Sequence, residues 1–161
     1  MKNKSLIFFL VFLLGSQSIY AQIQNKEIFR YIDLGEDKRI SLGQEFSNID
    51  DVFVKTETGF QSKPNTFGVK TAKSISFVLT SDNKIKAIYF DYYAGEQTFE
   101  QKIVNYTKSL GNPKGRISLD SNSVKVEVVY WEDKQTRFEI VKKNEREKIS
   151  FSAGMFDKKS K

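Results

Sequence analysis

The chain has 161 residues, with 26 lysines and arginines against 20 acids, so its formal charge is +6. It contains no cysteine and no histidine. This excludes disulfide frameworks, thiolate nucleophiles and cysteine metal sites, and it removes the commonest general base and zinc ligand near neutral pH.

The N-terminus reads as a processing signal. Lys2 and Lys4 precede an unbroken apolar run from Leu6 to Leu14, and a small, polar stretch follows from Gly15 to Ala21. Nine residues rising ~1.5 Å each cover about half of a ~30 Å bilayer core, so this is the apolar region of a secretory signal peptide rather than a span. Residues 1–21 are the expected signal, with cleavage after Ala21, or after Ser18 as the second choice. Residues 22–161 then form a single domain of 140 residues, and its charge falls from +6 to +4 because Lys2 and Lys4 leave with the signal. No second long apolar run remains, so no stable membrane insertion is expected after signal removal. A bacterial lipid anchor is excluded by the missing cysteine. The expected location is exported, either periplasmic or secreted. Basic residues are spread along the chain except for Lys158-Lys159-Ser160-Lys161, which is not the concentrated basic face that nucleic acid requires.

Downstream, Ile28 to Leu34 reads as a first strand, with Gly35-Glu36-Asp37-Lys38 as a turn. Ser47 stands as an N-cap three residues before Asp50, and Ile49, Val52 and Phe53 predict a short helical face. Ser74 to Thr80 alternates with Ile75, Phe77 and Leu79 on one side. After the polar turn Ser81-Asp82-Asn83-Lys84, Ile85 to Tyr93 puts Ile88, Phe90 and Tyr92 on one side and Ala87, Tyr89, Asp91 and Tyr93 on the other. This is a hairpin. Phe99, Ile103, Tyr106 and Leu110 then form one helical stripe over Thr98 to Leu110. Thr98 and Gln101 have capping-box spacing at its start, and Gly111 and Pro113 mark its end. Three strands complete the chain. Ser123 to Trp131 is expected to bury Val124, Val126, Val128 and Tyr130. Gln135 to Lys142 buries Phe138 and Ile140, and Lys148 to Met155 carries Ile149, Phe151 and Ala153. Short polar turns between them require antiparallel neighbours. The expected fold class is α+β, an antiparallel sheet of about five or six strands with one or two helices packed on one face. Phe46, Ile49 and Phe53 leading to Gly59 and Pro64 faintly echo Phe99, Ile103 and Tyr106 leading to Gly111 and Pro113, as a duplicated helix-plus-sheet unit or chance would each explain.

The run Asn105-Tyr106-Thr107-Lys108-Ser109-Leu110-Gly111-Asn112-Pro113, followed by strands and the hairpin from Val128 to Ile140, resembles small exported bacterial domains of two kinds. These are the SmpA/BamE-like envelope domains and the β-lactamase-inhibitor-protein-like fold. The residues that carry the likeness are Leu110, Gly111, Pro113 and Trp131, within Ile85 to Ile140. The resemblance implies helices on one face of an antiparallel sheet and a binder or assembly factor, with no catalytic residues. The chain departs from the SmpA/BamE pattern by lacking the lipidation cysteine.

The candidate site is the sheet face turned away from the helices. The alternation assigns it Tyr89, Tyr93, Val129, Trp131 and Val141, with Lys125, Glu127, Arg137 and Glu139 among them. Tyrosine, tryptophan and arginine concentrate at binding hot spots because they bury large areas and keep a polar handle. The competing reading folds Trp131 over a core edge. Tyr89, Tyr93, Trp131, Arg137 and Glu139 are the expected binding residues. The paired acids Asp50-Asp51 and Glu132-Asp133 read as helix-terminal and turn chemistry, since adjacent carboxylates point apart and do not span a glycosidic bond. Asp120-Ser121-Asn122 lacks the rest of a calcium loop and reads as a turn. Gly111-Asn112-Pro113-Lys114-Gly115 lacks the Gly-Lys-Ser/Thr ending of a phosphate loop. No cofactor, metal or catalytic residue is expected. The function expected is a non-enzymatic protein-binding module, such as an inhibitor, an immunity-type antagonist or an envelope adaptor. Its partner would be another protein of the envelope or extracellular space. The alternative is a small-ligand (lipid or glycan) binder with a pocket lined by Phe77, Phe90 and Phe99. A carboxylate or Ser-Lys hydrolase ranks third.

Overall fold

A computed structural model describes residues 27–34, 39–47, 52–63, 72–92, 98–146 and 148–159. The expected signal (1–21), the turn at 35–38, Ile49 to Asp51 and Tyr93 lie outside the described residues. The strands are β1 (Tyr31–Asp33), β2 (Arg39–Ser41), β3 (Phe53–Lys55), β4 (Gly59–Ser62), β5 (Ala72–Leu79), β6 (Ile85–Tyr92), β7 (Gly115–Ser121), β8 (Val124–Glu132), β9 (Thr136–Glu145) and β10 (Lys148–Asp157), with helix α1 (Phe99–Leu110) between β6 and β7. Strands β1 and β2 form a two-stranded sheet. The other eight form one antiparallel sheet in the order β3-β4-β5-β6-β10-β9-β8-β7. The α+β class with an antiparallel sheet holds, but the sheet is larger than the expected five or six strands.

Its order contains a symmetry. Strands β3 to β6 form one four-strand meander and β7 to β10 form another, and they meet where their last strands, β6 and β10, pair. Side chains alternate across the pleat, so registered residues form rows on each face. One core row runs Phe60, Phe77, Ile88, Met155, Phe138, Trp131 from β4 to β8. Outer aromatics flank inner aliphatics on both sides of the β6–β10 seam.

Helix α1 covers the β7–β10 half of this core face. Its Tyr106 ring lies 4.6 Å from Phe138 and 6.0 Å from Trp131, and its Phe99 stacks on Phe151 at 6.2 Å. Thr98 and Gln101 close the capping box at its start. Gly111 ends it with φ 82, and its N–H donates to the Thr107 carbonyl. The β3–β6 half is covered differently. Phe46 stacks on Phe60 at 4.4 Å and meets Phe77 at 5.4 Å and Phe53 at 5.7 Å. Backbone bonds from Gly43 N–H to Ile85 O and from Phe46 N–H to Asn83 O hold that segment against β6 and its turn.

Three expectations need correction. The helix expected through Val52 and Phe53 gives way to strand β3 at Phe53–Lys55, with Phe53 buried and Val54 exposed. So short a run satisfies either period, and pairing with β4 decides it. Strands β2, β4 and β7 carry too few buried apolar residues to register in an alternation. In particular, β7 runs through Asp120 and Ser121, where a turn was expected. Finally, β8 is inverted: Val129 and Trp131 are buried, while Val124, Val126, Val128 and Tyr130 face away from the helix.

Candidate functional site

The inversion of β8 redraws the site. Trp131 is 1% exposed and stands opposite Phe138 beneath α1, with its indole N–H donating to the Gly111 carbonyl at 2.8 Å. It is a core residue that also satisfies the carbonyl of the helix C-cap glycine. Val129, Lys125 and Glu127 share its parity along β8, and Val129 pairs with the buried Ile140. The signal lay in the hairpin turn. Asp133 N–H donates to Thr136 O, and the Asp133 carboxylate accepts the N–H groups of Gln135 and Thr136 at 2.7 Å each. An aspartate at the first position of a four-residue turn sets Glu132 opposite Arg137. Trp131 must then share the face of Phe138.

The open face is read from the rows. One crosses all eight strands: Val54, Gln61, Ser76, Tyr89, Gly154, Glu139, Tyr130, Gly115. Of the expected binding residues it holds Tyr89 and Glu139, with Arg137 two residues along β9 on the same side. Tyr130 takes the place assigned to Trp131. Arg137 lies with its guanidinium carbon 4.2 Å from the Tyr130 ring centroid, and its Nε donates to Glu139 at 3.0 Å. Tyr89 meets Phe156 edge-on at 5.3 Å. Burial, and secondarily the negative charge of Glu139, push the Tyr89 hydroxyl pKa upward, so Tyr89 is a neutral donor throughout the physiological range.

Two glycines shape this surface. A Cβ on Gly154 would lie 2.7 Å from the Phe156 ring and 3.3 Å from Tyr89, and one on Gly115 would lie 2.6 Å from the Tyr130 ring. Both rings therefore lie down on bare backbone, which makes a low platform of three aromatics, one arginine and one glutamate. Sequence reasoning missed Phe156 and Tyr130, although glycine opposite an aromatic across a strand pair is a recognised pattern.

The neighbouring row, Ser74, Asp91, Ser152, Val141, Val128, Ile117, changes from polar to aliphatic between β10 and β9. On the β3–β6 side, the Ser74 hydroxyl donates to Asp91 at 2.7 Å and accepts from Gln61 at 3.4 Å. A shallow depression there is lined by Gln61, Lys63, Lys73, Ser74 and Asp91, with Val54 at its margin. On the β7–β9 side, Leu119, Ile117, Val126, Val128 and Val141 form a half-exposed aliphatic patch.

Among the described residues no group of three His, Cys, Asp or Glu side chains is placed to hold a metal ion, and no helix is long and apolar enough to cross a membrane. The Phe77 ring lies 5.4 Å from Phe46 and 5.1 Å from Phe53, and Phe99 stacks on Phe151, so these neighbours occupy the space beside two of the three residues expected to line an apolar pocket. No protein-family model, curated protein or solved structure matches the chain.

Proposed function

We propose that this is an exported, non-enzymatic protein-binding module that engages another envelope or extracellular protein through the open face of its antiparallel sheet. The observation that carries the reading is the platform of Tyr89, Phe156, Tyr130, Arg137 and Glu139 laid over Gly154 and Gly115. Tyrosine and arginine are the residue types that dominate binding energies, because they offer large rigid surfaces with donors at the rim. Here the rings are held in place before any partner arrives, which lowers the ordering cost of association. The absence of histidine and cysteine from the whole chain removes the usual nucleophile-activating chemistry and favours binding over catalysis. Inhibitor, immunity-type antagonist and adaptor use the same kind of face and are versions of this one proposal, as is the likeness to inhibitor-like and envelope-assembly domains. Export rests on the N-terminal pattern.

The test is affinity capture from an envelope fraction by the wild-type chain and by Tyr89→Ala, Tyr130→Ala and Arg137→Ala variants whose folding is confirmed by circular dichroism. The expected result is a specific captured protein whose recovery falls at least tenfold in each variant, as for a loss of about 1.4 kcal/mol or more. Unchanged recovery in all three would remove the platform as the site. The small-ligand alternative predicts instead that the apolar variant Phe90→Ala alters binding while the three platform variants do not.

A further inference from the structure

The large sheet has two edges, and they are built differently. Strand β3 at one end has three residues and carries Lys55. Brevity and a lysine are among the devices that keep an edge from pairing with other chains. Strand β7 at the other end has seven residues, all but Gly115 exposed, and pairs with β8 without a bulge from Gly115 to Ser121. It contains no lysine or proline, and among the described residues it ends the sheet. Its apolar side chains are uncovered: Leu119 is 62% exposed and Ile117 41%.

The strand sequence is also self-complementary. Reading Gly115-Arg116-Ile117-Ser118-Leu119-Asp120-Ser121 against its own reverse sets Ser118 opposite Ser118, Ile117 opposite Leu119 and Arg116 opposite Asp120. Opposed residues of an antiparallel pair share a face. Ile117 and Leu119 would therefore meet on the open face and extend the aliphatic patch from one copy to the other. Arg116 and Asp120 would meet on the helix face. There each joins an existing ion pair, Arg116 with Glu100 at 2.6 Å and with Glu127, and Asp120 with Lys125 at 3.2 Å. An isologous two-fold contact demands this reciprocity, in which residue i meets j and j meets i.

We propose that the outer edge of β7 pairs with the same edge of a second copy of this chain, antiparallel about a two-fold axis at Ser118, to give a dimer with one continuous sheet. The contact uses a different surface from the aromatic platform: pairing engages the outer backbone edge of β7, whereas Tyr89 and Phe156 lie on β6 and β10, four and three strands in, and only Tyr130, over Gly115 at one end of β7, approaches it. An edge contact of this length is small beside a permanent interface, so the dimer is concentration-dependent.

The experiment is sedimentation of the purified chain over a concentration series, together with single-cysteine cross-linking, which the cysteine-free sequence permits directly. In the proposed register, directly opposed Cα atoms lie about 4.5–5.5 Å apart, within disulfide reach. Two copies of residue 120 lie four residues apart along the strands, about 14 Å. Ser118→Cys is expected to give a covalent dimer on mild oxidation, while Asp120→Cys stays monomeric. Leu119→Lys, which places a charge in the aliphatic contact, is expected to raise the dimer dissociation constant about tenfold. A wild-type chain that sediments as a monomer at every concentration would overturn the proposal. So would Asp120→Cys cross-linking as readily as Ser118→Cys.

Discussion

The two meanders share a topology and a core pattern but not an outer face. On the inner side, Phe60 and Phe77 of β4 and β5 are matched by Trp131 and Phe138 of β8 and β9 across the Ile88–Met155 seam. On the outer side, the β3–β6 half presents mostly Gln61, Ser74, Ser76 and Asp91, with Val54 at its edge and Tyr89 at the seam, whereas the β7–β10 half presents Tyr130, Arg137, Glu139, Phe156 and the aliphatic patch. The core must be close-packed to fold at all, so both halves converge on the same large residues. The open face carries no such packing demand, so the two halves are free to differ there. An exposed aromatic and aliphatic surface is costly to keep in water unless something covers it.

The largest effects are expected at the core row shared by the two halves. Trp131→Ala and Phe77→Ala should each cost about 3–5 kcal/mol in urea unfolding, because each removes a fully buried ring. A much smaller loss from Trp131→Ala would mean that the β7–β10 half is not packed as described. Tyr130→Ala, one residue away on the opposite face, should cost far less than Trp131→Ala.

Next comes the turn that sets the parity of β8. Asp133→Ala removes an acceptor for the N–H groups of Gln135, Thr136 and Ile28, the last at 2.8 Å. It should destabilise the fold by about 1–3 kcal/mol. Burial, the largest influence, raises the Asp133 pKa, but the three backbone donors and Arg30 outweigh it and hold the carboxyl below its usual value. A carboxyl depressed by folding contributes stability that is fully present above its unfolded pKa and is lost as pH falls toward the folded one. Wild type should therefore lose stability on acidification below about pH 4, and Asp133→Ala should lose less. Equal acid slopes for the two chains would contradict the assignment.

The smallest stability effect is expected at the glycine shelf. In Gly154→Ala the new methyl meets the free end of the Phe156 ring, which swings aside, so stability should change by about 1 kcal/mol or less. The Phe156 and Tyr89 ring signals should nevertheless shift in NMR spectra, and partner capture should fall. Unmoved rings would show that the shelf does not position the platform.

Much of the molecule was legible in the residues. The stripe Phe99, Ile103, Tyr106, Leu110 between a capping box and Gly111 specified α1 almost to the residue, because helix periodicity and both caps agree. Strands β5, β6, β9 and β10 declared themselves by alternation with a single apolar side. Strand β8 did not. Val128, Val129, Tyr130 and Trp131 are apolar on both sides, so the sequence offers two parities of similar quality. Of the five expected binding residues, Tyr89, Arg137 and Glu139 lie on the open face, Trp131 lies in the core, and Tyr93 lies outside the described residues.

By itself, then, the sequence determined the α+β class, the antiparallel hairpins, the helix and the lack of histidine and thiol chemistry. These follow from local periodicity, turn residues and composition. The tertiary structure alone decided that two four-strand meanders join at β6 and β10 and that short or polar segments become β2, β3, β4 and β7, because these rest on which strands lie side by side. The inward Trp131 and outward Tyr130 are written locally in the Asp133 turn, but apolar residues on both sides of β8 leave its alternation undecided until pairing with β9 fixes it.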